Sequence, residues 1–280
     1  MLRHCIFRCA EYHGFSLVDR NIPMPLLHLL PLADLSLALA IGAALGFFGG
    51  LFGIGGGIIA IPLFVLAFAM DQAMAQGTAL VLMVPNLLIG WWRYSRKHPV
   101  GWRAVLAIAL PATLTTWLLA HFATRLDAQL LGHLFCAFLG ILALRLLWQG
   151  RGGREPLTGA PLRPAALPLV GVAGGSSMGL LGIGGGLVAT PLLSGWLGQR
   201  QTVAQSLALA LVAPSSLVAL SAYAGAQRVD WSLGLPMALG GMFTVAAGVA
   251  LAHKLPERRM RAAFAWMLLA TALWLALAPR

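Results

Sequence analysis

The pentapeptide Gly-Ile-Gly-Gly-Gly occurs twice in this chain, at 53–57 and at 182–186. Each copy lies between two apolar runs and is followed five residues later by a proline, Pro62 and Pro191. Glycine costs about 1 kcal/mol per residue in a helix interior relative to alanine, so three in succession end a helix. Non-helical backbone at membrane depth is tolerated only where protein buries it or where it lines a cavity. Any fold for this chain has to accommodate two such breaks.

The two copies belong to a longer repeat. A shift of 129 residues (182 − 53 = 129) superposes the halves without a gap. Gly42, Gly46 and Gly50 fall on Gly171, Gly175 and Gly179, Gln76 on Gln205, Pro85 on Pro214, Tyr94 on Tyr223 and Trp102 on Trp231. Of the 62 positions from Ile41 to Trp102, 24 are identical. Shared apolar composition does not produce matches in Gly, Pro, Gln, Tyr and Trp. The apolar segments come in fives: 35–52, 58–70, 73–92, 100–122 and 130–148, then 166–181, 187–197, 203–224, 231–252 and 260–277. This predicts an N-terminal extension (1–33), a first membrane repeat (34–149), a Gly/Pro/Arg linker (150–164) and a second membrane repeat (165–280).

Only 10% of the residues are charged and 59% are hydrophobic, whereas a soluble domain is about 25% charged. Several runs reach the ~18 residues that span a bilayer. The expected fold class is an all-α polytopic membrane protein of two tandem homologous repeats, with about 8–10 membrane segments including Gly-interrupted broken or re-entrant helices. The net charge of +11 does not point to nucleic acid, because Lys and Arg collect in short loops between the apolar segments, as the positive-inside rule writes topology. With inverted halves and the N-terminus outside, 13 of the 19 basic residues fall on the cytoplasmic side. Parallel halves match that score only by counting Arg3, Arg8 and Arg20, and they leave the cluster from Lys254 to Arg261 outside. The tally favours inversion, more so if translation starts at Met24 rather than Met1, and both topologies stay open. Residues 1–33 hold no apolar run long enough for a signal-peptide core.

Three cysteines are too few for a disulfide scaffold. Cys5 and Cys9, near His4 and His13, lack the second, well-spaced ligand pair of a zinc site, so neither metal nor cofactor is expected. All eight acids lie in the extension, at segment ends or in loops. That argues against a proton relay through a carboxylate at membrane depth and against an intramembrane aspartyl protease. His121, His133 and His253 stand near segment ends without partners, which argues against a membrane enzyme generally.

The doubled break, Gly-Leu-Phe-Gly-Ile-Gly-Gly-Gly-Ile-Ile-Ala-Ile-Pro-Leu and Gly-Leu-Leu-Gly-Ile-Gly-Gly-Gly-Leu-Val-Ala-Thr-Pro-Leu, resembles the TauE/SafE family of sulfite and sulfonate exporters. The resemblance covers nearly the whole chain from Asp34 on; the basic N-terminal extension departs from it. It implies a multi-pass protein of the plasma membrane, the bacterial inner membrane, that moves a small organic or sulfur-containing anion. It does not identify the substrate.

The residues themselves suggest where an anion would sit. A helix that starts at a glycine run has first amides without intrahelical acceptors and about half a positive charge at that end, and glycine lets an anion approach closely. The candidates are Gly53, Gly55, Gly56 and Gly57 with Gly182, Gly184, Gly185 and Gly186. Tight helix crossing is their other role, and it is the role expected of Gly42, Gly46 and Gly50 and their counterparts, spaced four apart. Gln76 and Gln205, with Asn86 after Pro85 and Ser215 after Pro214, are the polar side chains at depth; interhelical hydrogen bonding is the alternative use for them. Tyr94, Tyr223, Trp102 and Trp231 read as interfacial anchors. The function expected is a secondary carrier exporting small anions such as sulfite or organosulfonates, with an anion channel as the nearest alternative. Its partners are that anion and the lipid bilayer; the oligomeric state is not legible.

Overall fold

The computed structural model describes residues 32–52, 55–97, 100–149, 164–199 and 201–252, with 266, 268–271 and 273 of the last apolar run. Apart from residues 32–33 and 164, the extension and the linker lie outside the described residues. The described helices, in chain order, are α1 (Leu32–Phe52), α2 (Gly57–Ala67), α3 (Gln72–Lys97), α4 (Trp102–Ala123), α5 (Ala128–Gln149), α6 (Leu167–Leu181), α7 (Gly186–Pro191), α8 (Gln201–Gly225) and α9 (Trp231–Ala252). Five stretches among them are long and apolar enough to cross a bilayer: Gln72–Trp92, Trp102–Ala123, Ala128–Arg145, Val203–Gly225 and Trp231–Leu251. Shorter apolar helices fill three of the other expected segments, at Leu35–Leu51, Gly57–Ala67 and Leu167–Leu181. The protein is all-helical over the described residues, as expected of a multi-pass membrane protein.

Helix starts are set by acids as well as by glycines. Asp71 accepts a hydrogen bond from the Met74 amide at 2.8 Å. Asp127 accepts from the amides of Gln129 and Leu130, and Asp230 from those of Ser232 and Leu233. Each satisfies amides that the first turn of a helix leaves without acceptors. Asp71, Asp127 and Asp230 are therefore caps for α3, α5 and α9.

One segment departs from expectation. The run 187–197 is not one α-helix: α7 stops at Pro191, and Leu192–Trp196 continues as a π-turn, with the Leu197 amide donating to the Leu192 carbonyl at 3.1 Å. Proline has no amide to donate back along the helix, yet the wider turn is not its necessary consequence. Its counterpart Pro62 sits inside an α-helix that runs on to Ala67.

α3 and α8 form the buried centre, and they run antiparallel. Gln76 near the start of α3 touches Tyr223 near the end of α8, whereas Gly90 late in α3 lies beside Leu209 early in α8. Around this pair, α1 packs on α9 and α4 packs on α6. Both outer pairs are parallel and are joined through glycine. Gly42, Gly46 and Gly50 meet the backbone of Met237, Gly241 and Val245 in turn, and Gly171, Gly175 and Gly179 meet that of Ile108, Ala112 and Thr116. A threonine crosses each seam: Thr244 donates to the Ala43 carbonyl, and Thr116 to the Gly175 carbonyl at 2.9 Å. Each half thus lends its first helix to the fourth helix of the other. The outer faces of α4, α5 and α9 carry exposed Leu110, Leu114, Trp117, Ile141 and Phe243, an apolar belt suited to lipid.

Candidate functional site

The chain doubles back at both glycine runs. After α1, Gly55 and Gly56 take left-handed backbone, φ 71° and 91°, which costs an L side chain about 1–2 kcal/mol. Gly56 then lies against the Leu45 carbonyl, where an added Cβ would stand 2.9 Å from the oxygen. After α6, Gly182 is left-handed at φ 64° and Gly185 lies against the Gly174 carbonyl. Leu45 with Gly56 and Gly174 with Gly185 are equivalent pairs at the offset of 129 residues. Each break therefore folds its short helix back against the helix before it.

The two breaks and the two central helices border a partly open cavity of about 70 Å³. Gly49 and Gly50 of α1, Gly55, Asn86, Leu87 and Gly90 of α3, Gly184 and Gly186, Gln205, Ala208, Leu209 and Val212 of α8, and Val245 and Val249 of α9 line it, with Leu187 and Thr190. Its walls are glycine and aliphatic, with Asn86, Thr190 and Gln205 as the polar side chains. Asn86 is 3% exposed, and neither its Oδ1 nor its Nδ2 has a hydrogen-bond partner within the protein. More than nine in ten buried polar groups are bonded, so an amide left open on both atoms at a cavity wall is unusual.

Of the candidate anion-site residues named from the sequence, Gly55, Gly184, Gly186, Asn86 and Gln205 meet at this cavity. The others do not line it. Gly56 and Gly185 face the carbonyls already named, and Gly57 faces the Met83 side chain. Gly182 packs on the Gln76 side chain, which is fully buried and accepts a hydrogen bond from the Tyr223 hydroxyl at 2.7 Å. Ser215 donates to the Leu211 carbonyl one turn back, at 2.7 Å. Gly53 lies outside the described residues. Tyr223 is a correction to the sequence reading: it is wholly buried, tying α8 to α3, and it does not anchor an interface. Trp102 and Trp231 are exposed, as anchors are. Sequence reasoning missed Gly49, Gly90 and Thr190 as lining residues; Thr190 was visible as the polar residue aligned with Ile61.

The offset of 129 maps Asn86, Gly90, Gln205, Ala208, Leu209 and Val212 onto Ser215, Ala219, Gln76, Ala79, Leu80 and Met83. Every one of those counterparts is at most 0% exposed. At the aligned break the Met83 side chain stands against Gly57, where Val212 leaves room beside Gly186.

None of the described residues that line the cavity is charged. Arg228 and Asp71 form an ion pair of 2.9 Å, with side chains 41% and 39% exposed, an arrangement worth at most about 1 kcal/mol. Among the described residues no three His, Cys, Asp or Glu side chains gather in one place, and His121 bonds to the Trp117 carbonyl of its own helix.

The sequence profile of the family described as "Sulfite exporter TauE/SafE" matches residues 38–275. A Haemophilus influenzae protein named "Probable membrane transporter protein" is 27% identical over 256 residues, which cover 85% of this chain and 96% of that one. A protein of the same name from Xylella fastidiosa is 27% identical over 237 residues, 80% of this chain and 87% of that one. A Methanocaldococcus jannaschii relative, also named a probable membrane transporter protein, is 29% identical over 168 residues, 57% of this chain and 61% of that one. The match runs through both breaks, the central helices and the cavity between them, and the chain belongs to the TauE/SafE family of multi-pass membrane proteins.

Proposed function

We propose that this protein is a secondary carrier that exports small anions, sulfite or compact organosulfonates, across the plasma membrane. The observation that carries this reading is the cavity walled by glycines of both breaks, Gly55, Gly184 and Gly186, with Asn86 and Gln205 among its lining residues. Glycine backbone at a cavity offers amides to an anion at close range without any charged side chain. The antiparallel course of α3 and α8, which are counterparts in the repeat, supports inverted halves, and inverted halves are a common carrier design. A carrier that alternates its access holds equivalent half-sites in unequal states. The open space at Val212 and the filled one at Met83 fit that scheme.

With no carboxylate among the described residues that line the cavity, the driving force on this reading is the membrane potential, about 2.3 kcal/mol per charge per 100 mV. Purified protein in liposomes loaded with sulfite is expected to release it faster as the interior is made more negative, with a rate that saturates in sulfite. Protein-dependent efflux indifferent to the potential would sink this reading.

A further inference from the structure

We propose that the turn joining α8 to α9, residues 226–230, is a clasp that closes one end of the anion's path and lifts off the start of α3 to open it. The clasp rests on the carrier reading above and supplies the gate that alternating access requires.

The cavity lies toward the end of α3 and the start of α8, where Leu87 and Val212 line it. From there one stripe of each helix runs to the opposite end. Residues three and four apart share a helix face, which sets Met83, Leu80 and Gln76 in line with Leu87, and Ser216, Ala219 and Tyr223 in line with Val212. All six are wholly buried. The stripes meet where the Tyr223 hydroxyl donates to Gln76 Oε1 at 2.7 Å. The way from the cavity to this end is filled with side chains and finishes on that polar pair.

The turn adds three contacts to the start of α3. Arg228 pairs with Asp71 at 2.9 Å, and the Asp230 amide donates to the Thr78 hydroxyl oxygen at 3.0 Å. The Arg228 carbonyl lies on Gly77, where an added Cβ would meet it. Left-handed Gln227, φ 57°, and the bond from the Arg228 amide to the Tyr223 carbonyl at 2.9 Å turn the chain back to these positions. The contacts differ from the α1–α9 and α4–α6 seams, which set backbone on backbone at three glycines each. The turn is held mainly by polar groups, and its ion pair is half-exposed, so water can take over the bonds as it opens.

The clasp is also one-sided. The offset of 129 sets Arg200, Leu207, Pro99 and Gly101 at the positions of Asp71, Thr78, Arg228 and Asp230. Neither the ion pair nor the bond to a threonine oxygen can form between those residues. Only the tyrosine and the glutamine recur, as Tyr94 and Gln205. Contacts that one end makes and its mate cannot make bias a two-state carrier toward closure at that end, in keeping with an open space that lies toward the other.

The test uses the full chain carrying Cys5→Ala, Cys9→Ala and Cys136→Ala. Asp71→Cys and Arg228→Cys are added together, joined in detergent by a short bis-maleimide, and the protein is reconstituted into liposomes for radiolabelled sulfite efflux. A thioether link is chosen because sulfite cleaves disulfides. Linking is expected to cut efflux by about tenfold or more relative to the unlinked pair, whereas either single cysteine, treated alike, keeps its rate. Separately, Leu80→Cys places a thiol beneath the clasp. Its alkylation by a water-soluble maleimide in detergent is expected to quicken by about tenfold when Thr78→Val and Arg228→Gln remove two of the contacts. That second reading needs no flux, so it decides the matter even if the linked protein cannot be reconstituted. Linked protein that moves sulfite at the unlinked rate, or a Leu80→Cys thiol that reacts no faster in the loosened chain, overturns the clasp and leaves the carrier reading standing. No sulfite efflux through the wild type overturns the carrier reading and the clasp with it.

Discussion

Ala69 and Gly198 stand 129 residues apart and adopt the same left-handed backbone, φ 52° and 63°. Both follow a helix whose last turn is closed by an equivalent bond, Met70 amide to Phe64 carbonyl in one half and Gln199 amide to Leu193 carbonyl in the other. Alanine pays about 1–2 kcal/mol for that backbone, and glycine loses about 0.5–1 kcal/mol through a freer unfolded chain. Ala69→Gly is expected to leave stability unchanged or raise it by up to ~1.5 kcal/mol, read as thermal melting of the detergent-solubilised protein. A loss beyond ~1 kcal/mol would contradict this backbone. At the residue scale the sequence pointed to Asn86 and Gln205, and it pointed equally to their mates Ser215 and Gln76, which pack elsewhere. A repeat treats both copies alike, whereas the cavity lies on one side of the pseudo-symmetry. The signal that distinguishes the sides is size: Gly49, Gly90 and Val212 line the open space where the aligned positions hold Met178, Ala219 and Met83.

At the scale of elements, the described apolar segments were readable because glycine, proline and long apolar runs act locally. Which helix packs on which was not, since a stripe of glycines names a close contact without naming its partner. The seams join α1 to α9 and α4 to α6, so the first helix of each half completes the other half. The π-turn after Pro191 was equally hidden, because Pro62 at the aligned position leaves its helix regular. At Gly46 an added Cβ falls on the backbone of Gly241, and backbone cannot rotate aside as a side chain does. Gly46→Val is therefore expected to force α1 off α9 at a cost of about 1–3 kcal/mol or more. The readout is the yield of monodisperse protein in detergent, expected to drop several-fold; wild-type yield and melting would show that the seam does not bind these helices.

For the whole molecule, low charge and two homologous halves already specified a polytopic membrane protein, and the helices arranged around α3 and α8 agree with that class. The central claim is that the small space between those helices is where the anion passes. Gly186 offers the most direct test, because it lines the cavity and an added Cβ would sit at ordinary contact distance, 3.7 Å from Val212 and 3.8 Å from Ala208. Its counterpart Gly57 has no such room beside Met83. Sulfite efflux from liposomes should be compared for the wild type and for Gly186→Ala, Gly186→Val and Gly186→Leu, with thermal melting of each protein alongside. Flux is predicted to fall stepwise with side-chain volume, several-fold for alanine and to the protein-free level for leucine, while the alanine variant melts as the wild type does. Undiminished efflux through a leucine variant that melts normally would contradict the account.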